Sequence, residues 1–382
     1  MKKTRFCYLF CFFCFSIASV VNPTFAATKN ANLATENAVK DLWEEQGSSS
    51  LKGLSQKQAK RAQDFFKQGN AAARANNFKL AIKSYSAAIK IVDTVTILFQ
   101  NRGTIYARSN RLELAIADYY RALDLAPKNI AVHRSLANAY FRTNQFEKAI
   151  PHFEVALSHD EINIQARLRL AESLTRLNRG TEAVENYSKV LEFEPRNLVA
   201  LKNRGLLLTQ QGQIEAALDD FNQGVVVDPT STNLLLNRGI LLAKLIRYEA
   251  AISDFDEVVK LSTNNSKAYI NRGTSYLRLD SLEEAQQDFE KALEINPKSS
   301  LSHFNLASVH IARKDFDNAL KSLDEAVNLS PNNVQVLFLR GQIYTHLKKK
   351  KLALNDLKRA NDLVPNNKSV LKLLDKARSI PE

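Results

Sequence analysis

The sequence predicts an all-α superhelical solenoid of nine tandem helix-turn-helix repeats, closed by a C-terminal capping helix. Three observations predict it. A small residue recurs every 34 positions without a slip: Gly69, Gly103, Ala137, Ala171, Gly205, Gly239, Gly273, Ala307 and Gly341. Twelve residues after each of these markers stands an alanine, from Ala81 to Ala353, and sixteen after it a large apolar residue: Tyr85, Tyr119, Phe153, Tyr187, Phe221, Phe255, Phe289, Leu323 and Leu357. Twenty-four after it comes Pro127, Pro195, Pro229, Pro297, Pro331 or Pro365 in six of the nine repeats. A fixed period of this length marks a stack of identical supersecondary units.

Each interval has a mechanical reason. Small residues at the marker and twelve later let two antiparallel helices approach closely, and the large residue fills the space beside them. Proline cannot continue a helix, so it closes the second helix of the pair. On these residues the grid resembles the tetratricopeptide repeat family, over residues 62–367. The resemblance implies a non-enzymatic scaffold without cofactor that binds other proteins, with partners that differ widely between members.

The flanks divide from the array. Residues 1–26 carry Lys2, Lys3 and Arg5, then an apolar run from Phe6 to Val21, then Thr24-Phe25-Ala26. This pattern predicts a cleaved secretory signal peptide and a periplasmic or secreted protein. The run of sixteen residues is shorter than the roughly 20 that a spanning helix needs, so no stable membrane span is expected after cleavage. All three cysteines and the only methionine lie here, which leaves the rest of the chain without a disulfide, a thiolate nucleophile or a cysteine metal site. Residues 27–61 form an N-terminal segment and linker. Within it, Thr35 to Gln46 fits a short amphipathic helix with Val39, Leu42 and Trp43 on one side, which either caps the first repeat or docks a partner. Gly47-Ser48-Ser49-Ser50 reads as a linker, and Ser55 as the N-cap of the first repeat helix. Residues 368–382 form the capping helix, with Leu371 and Leu374 at apolar positions and Lys372 and Lys376 facing out.

Nothing in the sequence carries catalysis or a metal. The six histidines show no zinc-protease spacing, and a bare Ser49-x-x-Lys52 pattern lies in the linker without companion motifs. Lys348 to Lys351 form a basic turn between the helices of the ninth repeat. The formal charge is +13, of which three belong to the signal segment. In an exported chain that surplus points to acidic proteins or an anionic envelope polymer, with nucleic acid a less fitting partner.

Two side-chain patterns stand out. Arginine precedes the marker in five repeats, as Arg102, Arg204, Arg238, Arg272 and Arg340, and the same five carry an aspartate fifteen after it: Asp118, Asp220, Asp254, Asp288 and Asp356. This covariation predicts salt bridges inside the hairpins. The second pattern lies on the opposite side of each first helix, about 160° from the marker face. Five after the marker it reads Arg74, Arg108, Arg142, Arg176, Gln210, Lys244 and Arg278, and two before it Asn101, Asn203, Asn237, Asn271 and Asn305. The resemblance implies that this stripe lines a concave groove. Arginine suits carboxylates and asparagine suits an extended backbone, so the expected ligand is an extended, partly acidic protein segment. The competing readings are a binder of anionic envelope polymer, a secreted effector acting on host proteins, or arginines that merely serve solubility or pair between repeats. The family's clamp for a terminal carboxylate is not matched, because Phe66, Ala131 and Ser135 occupy its basic positions.

Overall fold

The computed structural model describes residues 53–381, all helix and connecting turns. The signal segment and the Trp43 segment lie outside the described residues. The described chain falls into two compact units, 53–211 and 212–381. The first holds α1 (Gln56–Arg74), α2 (Phe78–Ile91), α3 (Thr96–Arg108), α4 (Leu112–Leu125), α5 (Ile130–Arg142), α6 (Phe146–His159), α7 (Ile164–Arg176), α8 (Gly180–Phe193) and α9 (Leu198–Gln210). The second holds α10 (Ile214–Val227), α11 (Thr232–Lys244), α12 (Tyr248–Leu261), α13 (Ser266–Arg278), α14 (Leu282–Ile295), α15 (Ser300–Ala312), α16 (Phe316–Leu329), α17 (Val334–His346), α18 (Lys350–Leu363) and α19 (Lys368–Arg378). The 34-residue period runs through Gly212 unbroken and carries no mark of this division, because the period records each hairpin and not how hairpins cluster.

Local chemistry sets the helix ends. Ser55 and Gln58 form a reciprocal capping box at the start of α1. Eight residues before the marker, Asn129, Asn163, Asn197, Asn265, Ser299 and Asn333 each accept a backbone N–H in the first turn of a first helix, and Asn367 does the same for α19. Seven residues after the marker the chain turns left-handed: Asn76, Asn110, Asn144, Asn178, Gly212, Ile246, Asp280, Lys314 and Lys348 all have φ between 56° and 77°. Asparagine, glycine and aspartate tolerate that conformation, and β-branched isoleucine does not.

Packing follows the predicted grid. The large residues sixteen after each marker are the heart of the core, none more than 2 % exposed. Where the marker is Gly239, the Phe255 ring occupies the place of a side chain, and a Cβ built there would lie 2.7 Å from the ring. In the N-terminal unit α1 packs on α2, α3 on α4, α5 on α6 and α7 on α8, and each second helix then meets the next first helix. The C-terminal unit repeats this from α11 to α18 and ends with α19 on α18. The cap differs from expectation in one residue. Val370, Leu374 and Ala377 are its buried positions, while Leu371 is 37 % exposed. The N-cap at Asn367 puts α19 in the register of the other first helices, so Val370 and Leu374 stand where Val132 and Leu136 stand in α5. Among the described residues no helix is long and apolar enough to cross a membrane.

Ile246 tests this account of the turns. It sits at φ 63° and is 73 % exposed, so its side chain contributes little packing to set against the backbone cost. Ile246→Asn should raise stability by about 1 kcal/mol, read as a higher melting temperature. A lower melting temperature would mean that the turn is not strained.

Candidate protein-binding groove

The arginine beside each marker is a structural staple. Arg102 donates from Nε to Asp118 Oδ2 at 2.8 Å and from Nη2 to Asp118 Oδ1 at 2.7 Å. Arg238 holds Asp254 in the same fork, Arg272 holds Asp288 and Arg340 holds Asp356. The fifth predicted pair, Arg204 and Asp220, has one residue in each unit. In the first repeat the corresponding positions are joined by a neutral bond, Ser84 Oγ to Gln68 Oε1 at 3.0 Å. Each arginine also has a further partner that the covariation did not reveal. Its Nη1 reaches the second helix of the preceding repeat: Ser86 from Arg102, Ser188 from Arg204, Asn222 from Arg238, Asp256 from Arg272 and Asp324 from Arg340. The signal was present, since each partner stands seventeen after the preceding marker.

The hydrogen bond that each guanidinium donates to its aspartate raises the pKa of Arg102, Arg238 and Arg272. Burial pushes the Asp288 carboxyl up by more than Arg272 pulls it down. These half-buried forks therefore add little net stability when intact but leave a buried charge when one partner is removed. Arg238→Met should destabilise by roughly 3 kcal/mol, and Asp254→Leu added to it should recover most of that loss. Urea melts of the four members of the cycle measure this, and additive losses would show that the fork carries no coupling.

The opposite stripe lies where successive first helices crowd together. In the N-terminal unit α3 touches α5 and α5 touches α7, and in the C-terminal unit α11 touches α13 and α13 touches α15. Side chains bridge these neighbours. Asn101 Nδ2 donates to Asn70 Oδ1 at 3.2 Å, and the Tyr85 hydroxyl donates to the same oxygen at 2.6 Å. Arg169 donates to Asn138, and Asn305 to Thr274 Oγ1 at 3.5 Å. Such crowding makes the first-helix side the inner side of each unit.

The two predicted ladders differ on this face. The asparagines lie largely within the fold. Asn101, Asn237 and Asn305 are less than a tenth exposed, and Asn237 bonds the Asn233 carbonyl at 2.8 Å. Asn203 is half-buried and donates to the Tyr187 hydroxyl at 3.2 Å, and Asn271 is half-buried. Asn101 and Asn305 are held by side chains of the preceding first helix, Asn70 and Thr274. The cations, by contrast, are exposed: Arg74, Arg108, Arg142 and Arg176 in the N-terminal unit, Lys244 and Arg278 in the C-terminal one. Arg108 donates to Asn76 Oδ1 at 2.6 Å and lies 5.0 Å over the Phe78 ring, and Arg142 donates to Asn110 Oδ1 at 2.9 Å and the Ala107 carbonyl at 2.8 Å. Both thus close the left-handed turn of the preceding repeat, with neutral oxygens as partners, and their charge stays uncompensated. Burial and the neighbouring Arg142 lower the pKa of half-buried Arg169. Glu172, bonded to Arg176 at 3.5 Å, is the one carboxylate among the stripe positions of this unit.

The charge is divided unequally. Residues 53–211 hold 24 lysines and arginines against 14 aspartates and glutamates, while residues 212–382 hold 23 against 22. The third repeat also replaces the arginine fork with a histidine pair that sequence reasoning did not find. His133 Nδ1 and His152 Nδ1 are 2.8 Å apart, and the His152 ring stacks on Tyr140. Burial, then the nearby His133, lowers the His152 pKa. No group of three or more His, Cys, Asp or Glu among the described residues could hold a metal ion.

Comparison with known proteins agrees with this architecture. Family models of the tetratricopeptide repeat match residues 93–162, 134–197, 202–266, 266–299, 300–333 and 334–367. The chain belongs to the tetratricopeptide repeat family, and its fold is that of a protein-interaction scaffold. No curated protein matches the sequence. Among solved structures, a tetratricopeptide repeat protein from Parabacteroides merdae is similar, with 20% identity and a TM-score of 0.51, covering 65% of this chain and 98% of its own. The Cut9–Hcn1 hetero-tetramer of the APC/C is similar at 15% identity and a TM-score of 0.50, covering 89% of this chain and 82% of its own. At such identities the likeness is one of fold.

Proposed function

We propose that the protein is a non-enzymatic scaffold, exported to the cell envelope, whose N-terminal unit binds an extended, partly acidic protein segment along the inner face of its first helices. The observation that carries this reading is the exposed row Lys67, Arg74, Arg108, Arg142 and Arg176, accompanied on its stripe by one carboxylate, Glu172, in a unit with a surplus of ten positive charges. Fixed cations on a concave surface concentrate field and favour an anionic ligand. The buried asparagines make the floor of this face rigid and leave recognition mainly to charge. Export rests on residues 1–26 of the sequence, and N-terminal sequencing of envelope protein should begin at Ala27 or within a residue or two of it. An intact Met1 on a cytosolic protein would refute export.

Binding can be measured by the fluorescence anisotropy of a labelled glutamate-rich peptide. Replacing Arg108, Arg142 and Arg176 together by glutamine should lower affinity roughly tenfold, at about 0.5 kcal/mol for each exposed charge, and flatten the salt dependence. Replacing Lys349, Lys350 and Lys351 by glutamine should change neither. Equal losses from both sets would point instead to diffuse binding of an anionic polymer.

A further inference from the structure

The inner face of the N-terminal unit has a candidate occupant within the same chain. We propose that residues 35–46 dock on this face and compete with an acidic partner for it, an inference that rests on the reading of the face as an acidic-segment site. These residues lie outside the described part of the structure, and three observations on sequence and geometry carry the proposal.

The first is charge. Glu36, Asp41, Glu44 and Glu45 are the only acidic residues before Ser55, and all fall in this stretch, with Lys40 as the one base. The segment therefore opposes Arg108 and Arg142, whose partners in the fold are neutral oxygens. The second is reach. Nine residues, 47–55, separate Gln46 from the start of α1 and span at most about 30 Å. Arg74 stands eighteen residues into α1, about 27 Å along it, and the next first helix lies about one helix diameter away. Linker and segment together cover that distance. The third is the apolar complement. Trp43 brings an indole that a guanidinium favours, and Arg108 and Arg169 already lie against the Phe78 and Phe141 rings.

A tether this short gives an effective concentration on the order of 1 mM, so a contact with a dissociation constant of about 100 µM is about nine-tenths closed. An outside partner then binds about tenfold more weakly than to the open face.

Trp43 is the only tryptophan of the chain, so its fluorescence reports the contact directly. In the purified protein, acrylamide should quench Trp43 several-fold less than it quenches free tryptophan. Arg108→Glu with Arg142→Glu should restore full quenching while the helical circular dichroism is retained, and Lys350→Glu with Lys351→Glu should leave the shielding intact. Glu44→Lys with Glu45→Lys should also release Trp43 and raise affinity for the labelled glutamate-rich peptide about tenfold. Free quenching in the unmodified protein overturns the proposal, as does shielding that ignores the arginine substitutions. Shielding that grows with protein concentration assigns the contact to a second copy and overturns docking within one chain. The two readings fail separately. Peptide binding with an unshielded Trp43 keeps the functional reading and removes this one. Arginine-dependent shielding without peptide binding to the Glu44→Lys, Glu45→Lys variant does the reverse.

Discussion

The close approach of two helices at each marker residue is the constraint on which the rest of the structure depends. Glycine or alanine there leaves room for the aromatic or leucine sixteen residues on, and that residue excludes water from the whole hairpin. The geometry is tight: a Cβ on Gly341 would lie 2.8 Å from Leu357, and one on Gly69 2.6 Å from Tyr85. Contacts this short fix the helix crossing, and the crossing fixes which side chains face the neighbouring repeat. A hairpin of this kind cannot bury its apolar face alone, so stability comes from stacking. The inner stripe is a consequence of that stacking and not an independent design.

The arginine forks add lateral registration to this packing. Each joins three helices: its own pair, and the second helix of the repeat before. Removing a charge from water costs about as much as the fork returns, so the benefit is better understood as geometry than as stability. An apolar pair would hold two helices together at many rotations, whereas a bidentate fork with a third bond holds one. The His133–His152 contact of the third repeat and the neutral Ser84–Gln68 bond of the first join the two helices of their own hairpins.

Most of the fold was legible in the sequence because the period repeats the same local physics nine times. The marker, the alanine, the aromatic and the Arg–Asp fork are relations within one hairpin, and a helical wheel captures them. What the wheel cannot show is how the next repeat covers a face. Asn101 and Asn305 fall on the inner stripe by angle, yet the first helix before them closes over their amides. Arg108 and Arg142 fall on the same stripe, about two turns further along, and reach past that neighbour to its turn. The left-handed turn position was partly legible, since asparagine and glycine occupy it in five repeats, but Ile246 and the lysines there obscure it. His133 was hidden for a different reason: it replaces the arginine from a position three residues earlier, off the grid.

This difference between the two ladders shapes what the proposed inner-face site would recognise. A row of open amides would read the backbone of a ligand and so set its register. Amides that bond the neighbouring first helix, as Asn101 bonds Asn70 and Asn305 bonds Thr274, instead help set the spacing of the helices, and the guanidinium groups beside them inherit that spacing. Arg74, Arg108, Arg142 and Arg176 are related by the repeat itself, so their separation is a property of the scaffold and does not adjust to a ligand. Under the proposed function, selectivity would come from matching the interval between carboxylates on an extended chain to the interval between first helices, about 10 Å. An extended strand advances about 3.3 Å per residue, so acidic residues about every third position would meet successive arginines. A site built as proposed would discriminate by spacing as well as by charge, and a uniform polyanion would satisfy it no better than a segment with few, well-placed carboxylates.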